Sequence, residues 1–358
     1  MLFRSPPFPP IEGPVCPLPL RHDETIVLGH GSGGQMTHDL IQKVFLATLG
    51  RSCLPNGNDS ASLSLPTTPG RLAISTDSHI VTPLFFPGGD IGRLAVCGTV
   101  NDISMSGAQP LYLTAGFILE EGLPIPTLRR VLLSMQTAAA QAGVQFVAGD
   151  TKVVEHGKAD GWFINTTGFG WIPEGRTIGG EHAQPGDVIL LSGPIGDHGI
   201  AVLAARGELG FEAEVESDVA PLNHLIAAAL QAAPHIHVLR DPTRGGLATT
   251  LCEIALQSQV GIWLDEDRIP IRPTVRAAAE MLGFDPLYIA NEGKVILIVP
   301  ADEADAALTT LRAHSYGQLA ERIGEVRRDP PGRTLLRTTI GGTRVLDMLA
   351  GEMLPRIC

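Results

Sequence analysis

An apolar run leads directly into a polar segment at Val144-Gln145-Phe146-Val147-Ala148-Gly149-Asp150-Thr151-Lys152. The start of this stretch predicts a buried strand, and a helical pattern from about Thr127 to Gly143 lies directly before it. A helix followed along the chain by a buried strand is typical of α/β domains. The stretch therefore predicts an α/β fold in which Asp150 and Lys152 follow the end of a strand.

The same mixture of helices and strands extends over the whole chain. The predicted strands lie near 72–75, 111–119, 144–147, 162–171, 187–193, 236–239, 262–264 and 294–299, and the predicted helices near 40–48, 94–100, 127–143, 199–206, 221–232, 246–257 and 302–314. Residues 172–186 are rich in Gly and Pro and predict a domain boundary. The sequence therefore predicts two α/β (α+β) domains, at 24–171 and 172–336.

Composition excludes several classes of protein. The chain has 358 residues, 44% hydrophobic residues and a net charge of −12, without a Lys/Arg cluster that could follow a phosphate backbone. This argues against nucleic acid as a main partner. No window approaches eighteen uninterrupted apolar residues, so no membrane span is predicted.

The first 23 residues predict a disordered leader. They are rich in proline and lack the uninterrupted apolar segment of a signal peptide. The five cysteines are scattered without CxxC spacing, which favours free thiols in a reducing cytoplasm over a disulfide framework.

The chain ends in Pro355-Arg356-Ile357-Cys358. Residues 337–358 contain Gly341-Gly342 and Gly351, and they predict a flexible tail that carries the terminal thiol. A cysteine thiolate is a nucleophile, and an accessible thiol forms it without the cost of burial. Cys358 is therefore either a carrier of a covalently attached group or simply the last residue of the chain.

Acidic residues recur in polar or glycine-containing segments of the first half, at Asp59, Asp77, Asp102 and Asp150. Carboxylates grouped in this way suit Mg²⁺, which proteins hold with a few carboxylates and the phosphates of a substrate. Each aspartate alone can equally be a turn or cap residue. The glycine-rich loop Gly31-Ser32-Gly33-Gly34 precedes a helix, so it is either an anion-binding loop or an ordinary turn.

Three further positions are candidates for the chemistry. Lys152 is either a group that points into a site or a surface lysine. Glu292, between Asn291 and Gly293, is either a positioned base or a turn residue. The segment Asp241-Pro242-Thr243-Arg244-Gly245-Gly246 either donates backbone N–H groups to a ligand or caps a helix. His79 and His198 lack ligand-type spacing, so both are interpreted as supporting residues.

Taken together, six motifs resemble the HypE family, the carbamoyl dehydratases of [NiFe]-hydrogenase maturation. They are His30-Gly31-Ser32-Gly33-Gly34, Asn101-Asp102-Ile103-Ser104-Met105-Ser106-Gly107, Gly149-Asp150-Thr151-Lys152, Asp241-Pro242-Thr243-Arg244-Gly245-Gly246-Leu247, Asn291-Glu292-Gly293 and Pro355-Arg356-Ile357-Cys358. The resemblance runs from about residue 26 to the last cysteine, in the family order. Related ATP-using enzymes share the single motifs, and the terminal four residues make the set specific.

The resemblance implies a fold and a set of ligand contacts. It implies a two-domain fold similar to aminoimidazole ribonucleotide synthetase, assembled as a homodimer through N-terminal domains that bind ATP near the interface. It implies ATP and Mg²⁺ as cofactors. The implied nucleotide contacts are Gly31, Ser32, Gly33, Gly34, Asp59, Asp77, Asn101, Asp102, Asp150, Asp241 and Thr243, with the metal held among Asp59, Asp77, Asp102 and Asp150.

The resemblance also implies a reaction. Cys358 receives a carbamoyl group from the HypF carbamoyltransferase, ATP drives its dehydration to a thiocyanate, and cyanide passes to iron on the HypC–HypD complex. Within this reaction Glu292 is the candidate base and Lys152 the group that orients the substrate or stabilises charge, although these two roles are interchangeable. The rivals are other enzymes of the same fold, such as thiamine-phosphate kinase and selenophosphate synthetase, and a carrier without enzymatic activity.

Overall fold

The computed structural model describes residues 24–50, 60–207 and 214–351, together with Leu354 and Ile357. The predicted leader, Asp59 and Cys358 lie outside the described residues. Two units follow each other along the chain, one around a four-stranded sheet and the other around a seven-stranded sheet.

The N-terminal sheet has the strand order β1-β6-β4-β5. Its strands are β1 (Gly70–His79), β4 (Gln109–Glu120), β5 (Gln145–Val154) and β6 (Trp162–Pro173), and only β4 and β5 pair in parallel. The hairpin strands β2 (Phe85–Phe86) and β3 (Gly89–Asp90) form a separate small sheet. Because β1 and β5 form the two edges, residues on these strands lie far apart.

Two long helices cover one face of this sheet, α3 (Ile91–Met105) and α4 (Ile125–Ala142). The carboxylate of Asp90 accepts hydrogen bonds from the N–H groups of Gly92 and Arg93, which starts α3. Helix α4 ends at Gly143, whose φ of 72° is readily adopted only by glycine. The buried side of α4 has helical spacing, with Leu128, Val131, Leu132 and Met135 at 0% exposure.

The chain reaches this sheet through α1 (Gln35–Leu40), a π-helical turn (Ile41–Phe45) and α2 (Leu46–Leu49). These turns pack on α4 through α2. Among the helices of the described segments, none is both long enough and apolar enough to cross a bilayer.

The C-terminal sheet has the order β13-β12-β9-β11-β7-β10-β8. Its strands are β7 (Val188–Leu191), β8 (Val238–Arg240), β9 (Gly261–Asp265), β10 (Ile296–Val299), β11 (Glu321–Arg327), β12 (Arg333–Arg337) and β13 (Thr343–Leu346), and its helices are α5 (Asp197–Arg206), α6 (Asn223–Ala232), α7 (Gly246–Ser258), α8 (Pro273–Leu282) and α9 (Ala304–Ala313). Apolar residues of α6 and α9 form one core with β7 and β10. Apolar residues of α7 form a second core with the other face of the same two strands. The sheet is therefore covered on both faces, whereas the N-terminal sheet is covered on one.

The structure corrects several predicted elements. Strand β5 continues to Val154, so Asp150 and Lys152 lie within a strand and not after it; pairing with β4 maintains the extended backbone there. Asp77 lies within β1, and Asp102 lies inside α3 because the helix extends beyond its apolar part. Residues 343–346 were predicted as part of the flexible tail, but they form β13 and pair with β12.

Candidate active site

The register of the N-terminal sheet separates the predicted acidic residues onto two faces. Asp77 pairs with Thr166, and the next residue, Ser78, pairs with Asn165. Because side chains alternate along a strand, Asp77 and Ser78 point to opposite faces. Thr166 is fully buried and donates to the carbonyl oxygen of Ala95 on α3, so Asp77 lies on the face that the helices cover.

Asp150 lies on the other face, which we call the open face. It pairs with Gly116, and Gly116 in turn pairs with the exposed Asn165. A cavity of about 470 Å³ on this face is lined by residues that include Ser78, Asn165, Asp150 and Lys152. The structure therefore places Asp150 and Lys152 together, apart from Asp77.

Strand spacing shows that Asp77 and Asp150 of one chain cannot share a metal ion. They lie on the edge strands β1 and β5 of a four-stranded sheet. Three spacings of about 4.8 Å separate these backbones by ~14 Å, whereas Mg²⁺ ligands lie about 2 Å from the ion. Within one chain, Asp150 is therefore separated from the predicted metal ligand Asp77, and the described members of the predicted set that lie close together are Asp77 and Asp102.

Four predicted residues, together with Asp218, form an acid cluster on the covered face. It consists of the carboxyl groups of Asp77, Asp102, Asp218, Asp241 and Glu292, and the charges of the four aspartates all raise the pKa of Glu292. Burial raises the pKa of Asp102, and the charge of Asp77 adds to this, although the Ser75 hydroxyl donates to Asp102 over 2.8 Å. Burial and the charge of Asp102 raise the pKa of Asp241 to about 7.

Glu292 is the most deeply buried member with a raised pKa. Its side chain is 5% exposed, and burial, followed by repulsion from Asp218 and Asp241, raises its pKa well above the usual value. Its backbone N–H donates to Asp218 Oδ1 over 3.1 Å, and Asp218 Oδ2 accepts from Lys294 Nζ over 2.9 Å. Asp218 and Lys294 therefore hold Glu292 in place, and the sequence analysis missed both.

Asn101 connects this cluster to the N-terminal domain. Its Nδ2 donates to the carbonyl oxygens of Ala220 (3.1 Å) and Glu292 (3.3 Å), and its Oδ1 accepts from the N–H of Leu222 (2.8 Å). The predicted role of Asn101 was a nucleotide contact. In the structure its amide is engaged in joining α3 to the second domain.

The loop 241–246 lies beside the cluster and ends where α7 begins. The carbonyl oxygen of Pro242 accepts from Asn291 Nδ2 over 2.9 Å, which joins this loop to the segment of Glu292. The carbonyl oxygen of Thr243 accepts from the N–H of Gly246 and closes the turn. Arg240 and Arg244 are the basic groups whose charges lower the pKa of Asp102. Thus five carboxyl groups lie near two arginines and Lys294.

The glycine loop belongs to the β5 side of the sheet. A Cβ at Gly31 would lie 2.8 Å from the backbone nitrogen of Val153, so only glycine allows this close approach to β5. The N–H of Gly33 donates to Thr37 Oγ1, and the Ser32 hydroxyl donates to the carbonyl oxygen of Gly29. The loop, Asp150 and Lys152 are called the β5-edge group below. Gly34 lies directly before α1.

The two predicted catalytic groups lie on opposite sides of the sheet. Lys152 Nζ is 3.6 Å from Asp150 Oδ2, and its side chain is 68% exposed on the open face. Glu292 lies beyond α3, which covers the other face. One chain therefore does not bring Lys152 to Glu292.

The end of the chain returns to the acid cluster. Ile357 forms an antiparallel bridge with Val81, and His198 Nε2 lies 2.6 Å from the Ile357 carbonyl oxygen. Ile357 and Leu354 are 4% and 6% exposed. They line a cavity of about 430 Å³ together with Arg244, Gly245 and Ala290. The tail thus passes the loops that present Asp241 and Glu292.

The two halves of the chain match two family models. Residues 57–172 match the N-terminal domain and residues 184–335 the C-terminal domain of the AIR synthase related proteins. The two-domain arrangement and the cluster between the domains therefore define a protein of the AIR synthase related class. The predicted fold class is confirmed.

Similar proteins of known identity narrow the class. The carbamoyl dehydratase HypE of Cupriavidus necator is 55% identical over 93% of this chain and 95% of the relative, and that of Escherichia coli is 46% identical over 93% and 99%. A crystal structure of HypE in complex with ATP is 52% identical, with a TM-score of 0.89 over 93% of this chain and 100% of the other. The chain belongs to the HypE family of carbamoyl dehydratases.

Proposed function

We propose that the protein dehydrates a carbamoyl group carried on Cys358 to a thiocyanate, with hydrolysis of ATP, and so supplies the cyanide ligands of a [NiFe]-hydrogenase iron centre. One observation carries this proposal. Ile357, the residue directly before the terminal cysteine, is buried beside the loops of the acid cluster that contains Glu292. A carrier without enzymatic activity would not need a buried carboxyl group near the residue that precedes its attachment point.

The reaction has two steps whose atoms balance. The carboxamide oxygen attacks the γ-phosphorus of ATP, the bond to the β–γ bridging oxygen breaks, ADP leaves, and the nitrogen loses its first proton. In the second step the nitrogen loses its other proton, the carbon–oxygen bond breaks, and phosphate leaves as the carbon–nitrogen triple bond forms. Phosphorylation is needed because an amide oxygen is otherwise a poor leaving group.

Glu292 suits the second proton transfer. Burial and neighbouring carboxylates raise its pKa, and a base is most effective when its pKa lies near the working pH. Asp218 accepts from the backbone N–H of Glu292, and Asn101 donates to its backbone carbonyl oxygen. These two bonds position the carboxyl group. Lys152 would then orient the carboxamide or stabilise charge. In the alternative assignment, Lys152 is the base and Glu292 takes the orienting role.

The donor set of the acid cluster fits Mg²⁺ with ATP. Within the described ranges, no group of three or more His, Cys, Asp or Glu side chains is arranged to hold a metal ion by itself. This agrees with Mg²⁺, which needs only one or two carboxylates when phosphate oxygens supply further ligands. Asp77 and Asp102 would hold it. When bound, Mg²⁺ neutralises phosphate charge, and it would favour the ionised form of Glu292.

A homodimer would bring the β5-edge group to a second acid cluster. The open face of the N-terminal sheet exposes Leu72 (42%), Ile74 (60%) and Ile118 (43%), an apolar group typical of an interface. Lys152 lies on the same face and cannot reach Glu292 of its own chain. We infer that two open faces pack together, with ATP near this interface.

The partners follow from the same reaction. A crystal structure of a HypE–HypF complex is 48% identical to this chain, with a TM-score of 0.76 over 87% of it and 99% of the other chain. For this protein we propose HypF as the carbamoyl donor and the HypC–HypD complex as the acceptor of cyanide. The described Cys97 and Cys252 are free thiols, which supports the cytoplasm as its location.

The proposed role of Cys358 predicts a separation of binding from turnover. Cys358→Ala should bind Mg-ATP as the wild type does, because the acid cluster and the β5-edge group remain, but it should not accept or dehydrate a carbamoyl group. Nucleotide binding is measured by calorimetry and phosphate release in the presence of the donor. A folded Cys358→Ala protein that cannot bind ATP, or that still shows donor-dependent phosphate release, would contradict the role of the terminal thiol.

A further inference from the structure

A buried chain of hydrogen bonds reaches the last peptide group before Cys358. The N–H of Val219 donates to Ser217 Oγ over 3.1 Å, Ser217 Oγ lies 2.8 Å from His198 Nδ1, and His198 Nε2 lies 2.6 Å from the carbonyl oxygen of Ile357. His198 is 0% exposed, and its ring packs edge-on against Phe86, with ring centroids 5.5 Å apart.

The donors and acceptors in this chain determine the protonation of the ring. A carbonyl oxygen only accepts, so His198 Nε2 must carry the proton that it donates to Ile357. Burial keeps the ring neutral by lowering its pKa, in spite of the nearby charge of Asp218. Nδ1 is therefore the acceptor, and the Ser217 hydroxyl donates to it. The Ile357 carbonyl thus requires the Nε2–H tautomer, and the hydrogen bond from Ser217 stabilises it.

The same helix turn provides space for a second tail residue. A Cβ at Gly199 would lie 3.1 Å from Leu354 Cδ1 and 2.5 Å from Ile289 Cγ2, so the glycine allows Leu354 to pack here. The N–H of Gly199 donates to the carbonyl oxygen of Ala290, two residues before Glu292. The turn that holds the tail is therefore joined to the segment that presents Glu292.

We propose that His198, oriented by its hydrogen bond with Ser217, is the positioning residue that fixes the tail in the active site through the Ile357 carbonyl group. From the sequence, His198 was interpreted only as a supporting residue. Because Cys358 follows Ile357 directly, a fixed Ile357 carbonyl limits the positions that the terminal sulfur can adopt. This role deepens the proposed function and rests on it, whereas the contact itself can be tested without the reaction.

The first test measures how readily iodoacetamide alkylates Cys358, by mass spectrometry of the C-terminal peptide without nucleotide. His198→Phe keeps a ring against Phe86 but removes the donor, so Cys358 should react about two- to tenfold faster, as expected for the loss of one hydrogen bond. His198→Gln retains an N–H donor and should react close to the wild-type rate. His235→Phe is the matched control, because His235 is an exposed imidazole that contacts Glu303.

The second test follows the two reaction steps separately. In His198→Phe, carbamoyl transfer from the donor should be unchanged or faster, while water loss from the adduct should slow by up to about 100-fold, as displacement of a reacting group by about 1 Å does. A merely structural role would slow both steps alike. His198→Gln should recover most of the water-loss rate.

Several outcomes would overturn the proposal. They are wild-type alkylation in His198→Phe, equal behaviour of the Phe and Gln variants, or an equal loss in both reaction steps. If His198→Phe does not fold, Ser217→Ala decides, because it leaves the ring in place; faster alkylation supports the proposal and an unchanged rate refutes it. Wild-type protein that never loses water would instead refute the proposed function, and the alkylation result would stand apart from it.

Discussion

Glu292 is an acidic side chain in surroundings that disfavour its ionised form. Glu292 is buried, and four other carboxyl groups act on it. From its place between Asn291 and Gly293, Glu292 was predicted to be either a positioned base or a turn residue, and the resemblance to the HypE family made it the candidate base. Asp218 and Lys294, which hold the Glu292 segment, were not identified from the sequence, because Asp218 lies in no motif and only the folded chain brings it to Lys294.

Replacement of Glu292 tests its assignment as the base. Glu292→Gln removes the basic group and retains the shape, so water loss from the carbamoylated protein should slow by about 10²–10⁴-fold, the usual contribution of a positioned acid or base. Carbamoyl transfer should continue. The rates come from rapid-quench mass spectrometry, with Glu280→Gln, an exposed residue of α8, as the control. A Glu292→Gln variant with the wild-type water-loss rate would exclude this residue as the base.

At the scale of elements, the strands and helices were predicted better than the positions of residues within them. Strand β5 was predicted from its apolar start, but its polar continuation through Asp150 and Lys152 depends on pairing with β4. Asp102 was placed after a helix because polarity there resembles a loop, whereas it forms part of α3. Strand β13 is only four residues long, with Val345 and Leu346 as its apolar residues, and it forms by pairing with β12.

The raised pKa of Asp241, in the loop before α7, predicts how the free energy of unfolding changes with pH. The pKa of Asp241 is about 7 in the folded protein and ~4 in an unfolded chain, so between these values the folded state holds a proton that the unfolded state has lost. The free energy of unfolding should therefore fall as pH rises from about 4 to 7. Asp102 and Glu292 act in the same direction, since their pKa values are also raised.

Asp241→Asn should weaken this pH dependence. The amide cannot ionise, so the variant should gain stability relative to the wild type at pH 8 and gain less at pH 5. Urea unfolding at a series of pH values measures this difference, with the exposed Asp267→Asn as the control. A constant difference between Asp241→Asn and the wild type at all pH values would show that Asp241 does not titrate in this range.

For the whole molecule, the sequence predicted two domains and the motifs of a site. It did not predict on which faces and edges of the N-terminal sheet these motifs lie. The β5-edge group and the acid cluster lie on opposite faces of one sheet, because the register places Asp77 and Asp150 on different faces and on opposite edges. Register depends on pairing across the sheet and cannot be obtained from motif order. In the proposed homodimer, the exposed apolar residues of the open face would lie in the interface with a second copy of the chain.

The exposed apolar residues of the open face predict that the protein is a dimer. Ile74→Asp places a charge at the centre of the proposed interface and should convert the dimer to a monomer with little loss of stability, since Ile74 is 60% exposed in one chain. Light scattering after size-exclusion chromatography measures this. Ile340→Asp is the matched control, because Ile340 is 94% exposed outside the open face. A wild-type monomer, or an Ile74→Asp dimer, would exclude this interface.

The central claim is that the terminal thiol carries the group that the acid cluster dehydrates. The most direct measurement is mass spectrometry of the C-terminal peptide after carbamoylation by the donor and addition of Mg-ATP. The Cys358 adduct should lose one water, and a non-hydrolysable ATP analogue should prevent the loss. Hydrolysis of ATP with the adduct unchanged would contradict this claim.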